Sequence, residues 1–423
     1  MSARPRSATS LWIGPVAVVI ALATAAILRG WLAPSYAKTV PVLGVTAAAM
    51  VVMDLGLFRV GRNASTGLAT RPGRPLDLRR MLIKCLGLTV TLAALSAVYV
   101  LVPVYDADLY TPFKQAALVL LPGVVVAAPF YIAFVDMHQL DPEDAYADLG
   151  RLVLARRPAS WTPLLAHLRG WVVKGFFLPI MFGYVNGDLL ALANVPLPTQ
   201  WDFEHVFSYL MDMFYMIDVL LAVIAYALTL RVLDNQMRST EPTVGGWAIC
   251  LICYPPFWDG VGSHYLSYDQ DGLFWGKVFA PYPVLYVLWG SVILILVFIY
   301  AWSTAAFGLR FSNLTNRGII TAGPYRWVKH PAYLSKNISW WLISVPFVPG
   351  AGWGQALQSC LLLCGINTIY YVRARTEERH LAQDATYRAY QAFIAADGLW
   401  AVLRRRAKRI AAAKAPSRSA TPA

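Results

Sequence analysis

The sequence predicts an all-α protein, a polytopic transmembrane helical bundle of about ten spans, from three observations. Of its 423 residues, 58% are hydrophobic and only 14% are charged, whereas soluble domains carry about 25% charged residues. Apolar runs of about 20 residues, the length that crosses a bilayer, recur along the chain. The 15 Trp and 22 Tyr residues suit aromatic belts at the two membrane interfaces.

The apolar runs fall into a strong and a weak group. The strong candidates for spans are Leu11–Leu28, Thr39–Phe58, Leu82–Val104, Gln115–Val135, Val206–Leu230 and Val284–Trp302. The weaker candidates are Trp171–Val185, Val244–Phe257, Ile338–Val348 and Ala356–Val372. A proline- and glycine-rich stretch separates the last two runs, which predicts a helical hairpin that turns near one membrane face. The first run is too long for a cleavable signal peptide, and we interpret it as a retained span.

The net charge of +13 lies mainly between the apolar runs. Lys and Arg precede the first span, follow the second and eighth spans, and fill the tail Arg404–Lys414. With ten spans these clusters share one side, which the positive-inside rule identifies as cytoplasmic. We therefore expect the loop that holds His330 and the C-terminus to face the cytoplasm, in a bacterial inner membrane. The tail is expected to contact anionic lipid. Nucleic-acid binding is disfavoured, because no stacking or groove-reading motif accompanies the charge.

Two groups of potential metal ligands have a simpler interpretation. Cys250-x-x-Cys253 could be a redox pair or half of a zinc site, but no second ligand pair accompanies it, so buried apolar thiols are favoured. An outer loop could bind a metal through Asp259, His264, Asp269 and Asp271. An interfacial aromatic loop is the favoured interpretation there. The sequence thus predicts no metal site.

Three acidic residues, Asp54, Asp212 and Asp218, fall inside predicted spans. An ionisable residue in a span is a functional candidate by default. Asp212 and Asp218 are six residues apart, which on a helix places them about 120° from a common face. This spacing argues against a paired-carboxylate site and favours hydrogen bonding between helices over a role in transport. The absence of an evident internal repeat also weakens a transporter hypothesis.

The most unusual sequence is the loop of residues 317–333, which is crowded with aromatic, cationic and turn-forming residues. Gly323-Pro324 marks a turn, and Pro331 biases His330 away from helix. By itself such a loop is commonly an interfacial anchor. A second group follows the last span, where Arg373, a pair of glutamates and a Tyr-x-x-Tyr lie on a predicted charged helix. The hairpin brings this helix back to the loop.

The order of these elements resembles the isoprenylcysteine carboxyl methyltransferase family. The resemblance rests on Gly-Pro-Tyr-Arg-x-x-Lys-His-Pro-x-Tyr, an apolar hairpin, Arg-x-x-x-Glu-Glu and Tyr-x-x-Tyr, and it covers Phe311–Phe393. Bacterial phospholipid methyltransferases and membrane sterol reductases share versions of this core. The resemblance implies S-adenosylmethionine as the cofactor, held between the His-Pro loop and the helix after the hairpin, and an acceptor that enters from the bilayer.

From this resemblance we expect catalytic roles for Arg373 and Glu378. Arg373 or Arg375 would hold the cofactor carboxylate or an acidic acceptor, and aromatic faces would favour the sulfonium. The residues expected to bind the cofactor are Gly323, Tyr325, Lys329, His330, Pro331, Tyr333, Trp340 and Glu377. A carboxylate acceptor would need no general base, whereas a phenol, thiol or amine would.

The sequence departs from the family pattern at three places. Lys329 replaces the arginine that usually precedes His-Pro, which keeps the charge and loses the bidentate fork. Ser335 stands where glycine is frequent, and Asp384-Ala-Thr replaces a Phe-Gly before the paired tyrosines. These departures bear on the substrate class more than on the cofactor.

The domain organisation follows from these elements. We expect an N-terminal transmembrane region of unknown role over residues 1–280, a methyltransferase-like core over 281–400 and a basic, disordered tail over 401–423. The leading hypothesis is a membrane methyltransferase that uses S-adenosylmethionine and acts on a lipid or amphiphile, with a carboxylate or similar acceptor, at the cytoplasmic face. The alternatives are an NADPH-dependent reductase of the sterol type and a lipid transporter or binding protein with a relic site.

Overall fold

A computed structural model describes residues 4–28, 35–158, 160–194, 202–270 and 272–414. Within these ranges the chain is an all-α helical bundle, as the sequence predicts. The first seven helices are α1 (Ile13–Ile27), α2 (Tyr36–Val52), α3 (Leu78–Leu101), α4 (Thr111–His138), α5 (Ala145–Val153), α6 (Trp161–Asn194) and α7 (Phe203–Ala227). The remaining helices are α8 (Val244–Leu251), α9 (Phe257–Tyr265), α10 (Trp275–Phe279), α11 (Pro283–Ala305), α12 (Pro331–Ser344), α13 (Trp353–Leu381), α14 (Ala385–Asp397) and α15 (Leu399–Lys414).

Six of these helices are long and apolar enough to cross a bilayer. Their spans in the described residues are Tyr36–Leu57, Leu78–Leu101, Asp108–His138, Trp161–Leu192, Phe203–Ala227 and Pro283–Ala305. The outward faces carry large apolar side chains, such as Leu118 and Phe130 on α4, which are 76% and 74% exposed. Exposed apolar surface of this extent suits contact with lipid, so the protein is an integral membrane protein.

The predicted span Val244–Phe257 is wrong as a single helix. The structure has the short helix α8 there, then a turn at Pro255-Pro256, then α9. Eight residues of helix extend about 12 Å, well short of a hydrocarbon core of about 30 Å. The two prolines explain the break, because proline removes a backbone donor and interrupts the helical ladder.

The two weak C-terminal runs form the predicted helical hairpin. Helix α12 leads to a turn at Val345, which adopts a left-handed conformation with φ of 38°, and α13 returns and extends past the apolar run. Side-chain bonds hold the pair together. The Asn367 amide donates to Asn337 at 2.5 Å, and the indole of Trp341 donates to Asn367 at 2.7 Å. These bonds fix the rotation of α13 relative to α12.

The loops predicted to share one side of the membrane lie together at one end of the bundle. Strand β1 (Ser239–Thr240) pairs antiparallel with β2 (Thr315–Asn316). The amide of Ala8 donates to the Ile319 carbonyl at 2.9 Å. Helix α14 caps this end and continues into α15.

Two arginines are buried beneath this cluster of loops. Arg317 donates hydrogen bonds to the carbonyls of Asn235 at 2.7 Å, Phe311 at 2.7 Å and Ala225 at 3.0 Å. Arg310 lies 3.9 Å from Asp54 and 3.6 Å from Asp234. Each arginine ties the loop after α11 to the N-terminal region.

The predicted N-terminal region, residues 1–280, and the predicted core, residues 281–400, share an apolar core in the structure. One apolar core includes Ile13 of α1, Phe177 of α6, Leu221 of α7 and Ala301 of α11, so residues on both sides of position 280 pack together. The tail also differs from the expectation. Helix α15 covers residues 399–414 and so includes the first part of the tail 401–423, for which disorder was predicted. Alanine, leucine and arginine in this segment favour helix. Residues 415–423 lie outside the described part.

Candidate active site

A cavity of about 460 Å³ opens between the C-terminal core and the N-terminal region. The core supplies side chains from α11, the His330 loop, α12 and α13. The opposite wall comes from α6, α7 and the segment around α8 and α9, with Asp188, Asp218 and Tyr254 among its residues. A cavity of this size can hold a ligand of cofactor dimensions.

The His330 loop is positioned by a tight turn and by the paired tyrosines. Gly323 begins a short 3₁₀ turn with φ of 60°, a conformation that glycine adopts without strain. The Tyr390 hydroxyl lies 2.7 Å from the Tyr325 carbonyl and 3.2 Å from that of Val328. The second tyrosine of Tyr-x-x-Tyr therefore holds the loop against α14.

Glu378 connects the loop to α13. Its Oε1 lies 2.6 Å from Lys329 Nζ and 3.1 Å from His330 Nε2, and Oε2 lies 3.1 Å from Arg375. Burial would raise the pKa of Glu378, but the hydrogen bonds from His330 and Lys329 outweigh it and hold the pKa at about 2. Both carboxylate oxygens are engaged, and the side chain does not line the cavity. Its geometry is that of a positioning residue.

Glu377, the neighbouring carboxylate, faces the cavity. The Tyr333 hydroxyl donates to its Oε2 at 3.0 Å. The Tyr333 ring stacks on His330, with centroids 5.4 Å apart and planes 4° apart. Successive positions on a helix point about 100° apart, so one glutamate faces the cavity while the next faces the loop.

Arg373 is a buried cation on the cavity wall. It donates to Asn313 Oδ1 at 2.7 Å and to the Tyr254 hydroxyl at 3.2 Å. Its guanidinium also lies 5.2 Å from the Tyr333 ring and 5.9 Å from the Tyr370 ring. Within the described residues no carboxylate comes within 4.0 Å of it, and its i+4 neighbour Glu377 is turned toward Tyr333.

The structure brings most, but not all, of the predicted residues to this cavity. Those that line it are Tyr325, Lys329, His330, Tyr333, Arg373 and Glu377. Trp340 lines an adjoining cavity. Gly323, Pro331 and Glu378 line neither. Pro331 is the first residue of α12, and Gly323 packs near Leu11 and Ala306, so both shape the loop from behind.

Several cavity residues lie outside the two sequence motifs of the C-terminal core. Tyr254 and Asn313 contact Arg373 across 119 and 60 positions of the chain. Asp218 accepts hydrogen bonds from the hydroxyls of Tyr300 and Thr304, which agrees with the interpretation that it bonds between helices. None of these residues belongs to a recognisable motif.

Each departure from the family pattern has a local fit. Lys329 makes a single contact with Glu378, where an arginine could make two parallel hydrogen bonds. Ser335 is buried, and its hydroxyl donates to the Pro331 carbonyl at 2.9 Å. Asp384 caps α14 and accepts from the Asn316 side chain at 3.0 Å. Burial would raise the pKa of Asp384, but the hydrogen bonds from Asn316 and Thr386 lower it.

Among the described residues, no three His, Cys, Asp or Glu side chains are grouped as metal ligands would be. Asp271, one of the four candidates in the outer loop, lies outside the described part. Cys250 is buried and Cys253 is half-buried, both as free thiols. Both line the cavity.

Comparison with protein families gives one match. The model of the isoprenylcysteine carboxyl methyltransferase (ICMT) family matches residues 283–383. The C-terminal core resembles this family. The match begins at α11 and ends just before α14, so it includes the hairpin, the His330 loop and Arg-x-x-x-Glu-Glu. It indicates a membrane methyltransferase. Comparison with curated proteins and with solved structures gave no match.

Proposed function

We propose that this protein transfers a methyl group from S-adenosylmethionine to a lipid or amphiphilic acceptor at the cytoplasmic membrane face. The observation that carries the proposal is the pair Arg373 and Glu377. They face one cavity with opposite charges and do not pair with each other. A zwitterionic ligand, with an α-carboxylate and an α-ammonium group, complements such a pair.

The residues present fit this cofactor. Arg373 would hold its carboxylate, and Glu377 would accept from its ammonium group or ribose hydroxyls. Tyr333 and Tyr325 offer aromatic surface to a sulfonium. When bound, S-adenosylmethionine supplies an electrophilic methyl group that is transferred by in-line displacement.

The side chains of the protein position the reacting groups and exclude water from the cavity. Glu378 contacts Lys329 and His330 of the loop, and the Tyr390 hydroxyl donates to carbonyls of the same loop. These contacts keep His330 and Tyr333 in place on one wall of the cavity. The hydrogen bonds of Arg373 to Asn313 and Tyr254 fix the guanidinium. Prepositioning of this kind supplies a large part of the rate in a displacement reaction, and burial strengthens the charge interactions.

The test is calorimetry of the purified protein with S-adenosylhomocysteine and, separately, with NADPH. We expect binding of the first and none of the second. Arg373→Met and Glu377→Gln should each weaken binding at least about tenfold, since each removes a charge-assisted hydrogen bond. Arg379→Gln is the matched control, because Arg379 lies on the same helix, outside the cavity lining, and donates to Thr243. NADPH binding would favour the reductase, and binding of neither would favour a transporter.

A further inference from the structure

Lys336 is a cation within the membrane hairpin that the methyl-donor site does not use. It lies in the second turn of α12 and is half-buried. Its Nζ is 5.1 Å from the Tyr300 ring, 5.4 Å from Trp340 and 6.0 Å from Tyr370. These rings come from three different helices, so the ammonium group points into the bundle. A lysine that reached for lipid headgroups would instead direct its charge outward.

The charge of Lys336 has no anionic partner among the described residues. No carboxylate lies within 4.0 Å of its Nζ. Asp218, a carboxylate of the same cavity, already accepts hydrogen bonds from Tyr300 and Thr304. A cation inside a membrane protein is costly and usually marks a binding function. Aromatic faces offset part of this cost and leave the three N–H donors free.

Lys336 also stands where two cavities meet. It lines the main cavity together with Arg373 and Glu377. It also lines an adjoining cavity of about 270 Å³ whose other residues are Cys253, Trp258, Tyr268, Trp340, Ile366 and Tyr370. Apart from Lys336, the wall of this second cavity carries no charged side chain in the described part. One cation on the wall of an aromatic and apolar cavity is the recognition pattern for an amphiphile with an anionic head.

We propose that the second cavity is the acceptor subsite, and that Lys336 binds the anionic group, a carboxylate or a phosphate, of an amphiphilic acceptor. The apolar part of the acceptor lies against Trp258, Trp340 and Ile366, and its head points toward the main cavity. This inference rests on the proposed function, because the bound amphiphile is an acceptor only if the protein transfers a methyl group. The anion site itself can be tested without methyl transfer.

The experiment uses the full chain in nanodiscs of zwitterionic lipid, saturated with S-adenosylhomocysteine. The probes are dodecanoate, dodecyl phosphate, dodecanol and dodecylamine, and the measurement is their dissociation constant by calorimetry. We expect one or both anionic probes to bind at least about tenfold more tightly than the alcohol or the amine. The difference between dodecanoate and dodecyl phosphate identifies the preferred anion.

Variants test the role of the residue. Lys336→Met and Lys336→Gln should each abolish the anionic preference while leaving dodecanol and S-adenosylhomocysteine binding unchanged, and Lys336→Arg should retain it. Lys277→Met is the matched control, since Lys277 also lies over an aromatic ring, 5.2 Å from Phe274, but is exposed and outside both cavities.

Two results would overturn the inference. One is equal affinity of the wild-type protein for dodecanol and for both anions. This measurement does not depend on the folding of any variant. The other is weaker binding of S-adenosylhomocysteine to Lys336→Gln, which would assign the cation to the donor. If the wild-type protein fails to bind S-adenosylhomocysteine at all, the proposed function fails. The probe series, repeated without it, still decides whether Lys336 selects an anion.

Discussion

Replacing Glu378 with glutamine removes the charge on which Lys329, His330 and Arg375 converge. The pKa of this carboxyl falls from 4.5 to about 2 in the folded chain. A shift of this size corresponds to about 3 kcal/mol of stabilisation in a well-shielded site. Lys329 and Arg375 are 30% and 61% exposed, and solvent screening reduces the contribution to about 1–2 kcal/mol.

The pH dependence has a definite sign. Because the folded pKa lies below the unfolded one, the stabilisation is complete above about pH 5. It is lost as the pH falls from 4.5 toward about 2. The wild-type loop should therefore loosen across this window, whereas the Glu378→Gln loop is already loosened at pH 7 and should change little.

Hydrogen exchange of the loop amides at residues 323–330 measures this local opening directly. At pH 7 we expect Glu378→Gln to exchange about 5- to 30-fold faster there, the equivalent of 1–2 kcal/mol, with little change in α3 or α4. Arg375→Gln is the control, because its removal takes away the most exposed of the three contacts and should cost less than about 1 kcal/mol. Unchanged loop exchange in Glu378→Gln would refute the assignment of Glu378 as the residue that positions the loop.

Two further predictions concern the supports of the site. Tyr390→Phe removes the hydroxyl that holds the carbonyls of Tyr325 and Val328 and should lower stability by about 1–2 kcal/mol. Tyr387→Phe should be close to neutral, because the Tyr387 hydroxyl has no hydrogen-bond partner among the described residues. Thermal melts of both variants in the same detergent compare them. Arg310→Met leaves the buried Asp54 carboxylate without its cation and removes one of the two arginines beside Asp234. It should cost about 3–5 kcal/mol, seen as a lower melting temperature, and a melt equal to wild type would contradict the role of this ion cluster.

Much of the architecture follows from local patterns in the sequence. Long apolar runs specify helices whatever their neighbours do, because the backbone must satisfy its own hydrogen bonds in lipid. The failure at Val244–Phe257 had a local signal as well, since Pro255 and Pro256 cannot continue a helix. The motif around His330 identified one of the segments that line the cavity.

The division of roles within the site depends on long-range packing that no local pattern encodes. Glu377 and Glu378 are chemically identical neighbours, and only the rotation of α13 decides which one faces the cavity. That rotation is set by Asn367 against Asn337 and Trp341, a contact across the hairpin. The sequence also predicts Trp340 at the cofactor, and in the structure Trp340 lines the adjoining cavity together with Lys336.

The N-terminal region is more than a support for the matched core. Residues 283–383 supply Arg373 and Glu377, yet the wall opposite them comes from α6, α7 and the broken segment around Tyr254. Tyr254 bonds directly to Arg373, so the guanidinium is positioned by a residue outside the family match. A core excised at residue 283 would leave this cavity open on one side and Arg373 without its hydrogen bond to Tyr254. An apolar second cavity also borders this segment, through Cys253 and Trp258, so residues outside the family match line both cavities.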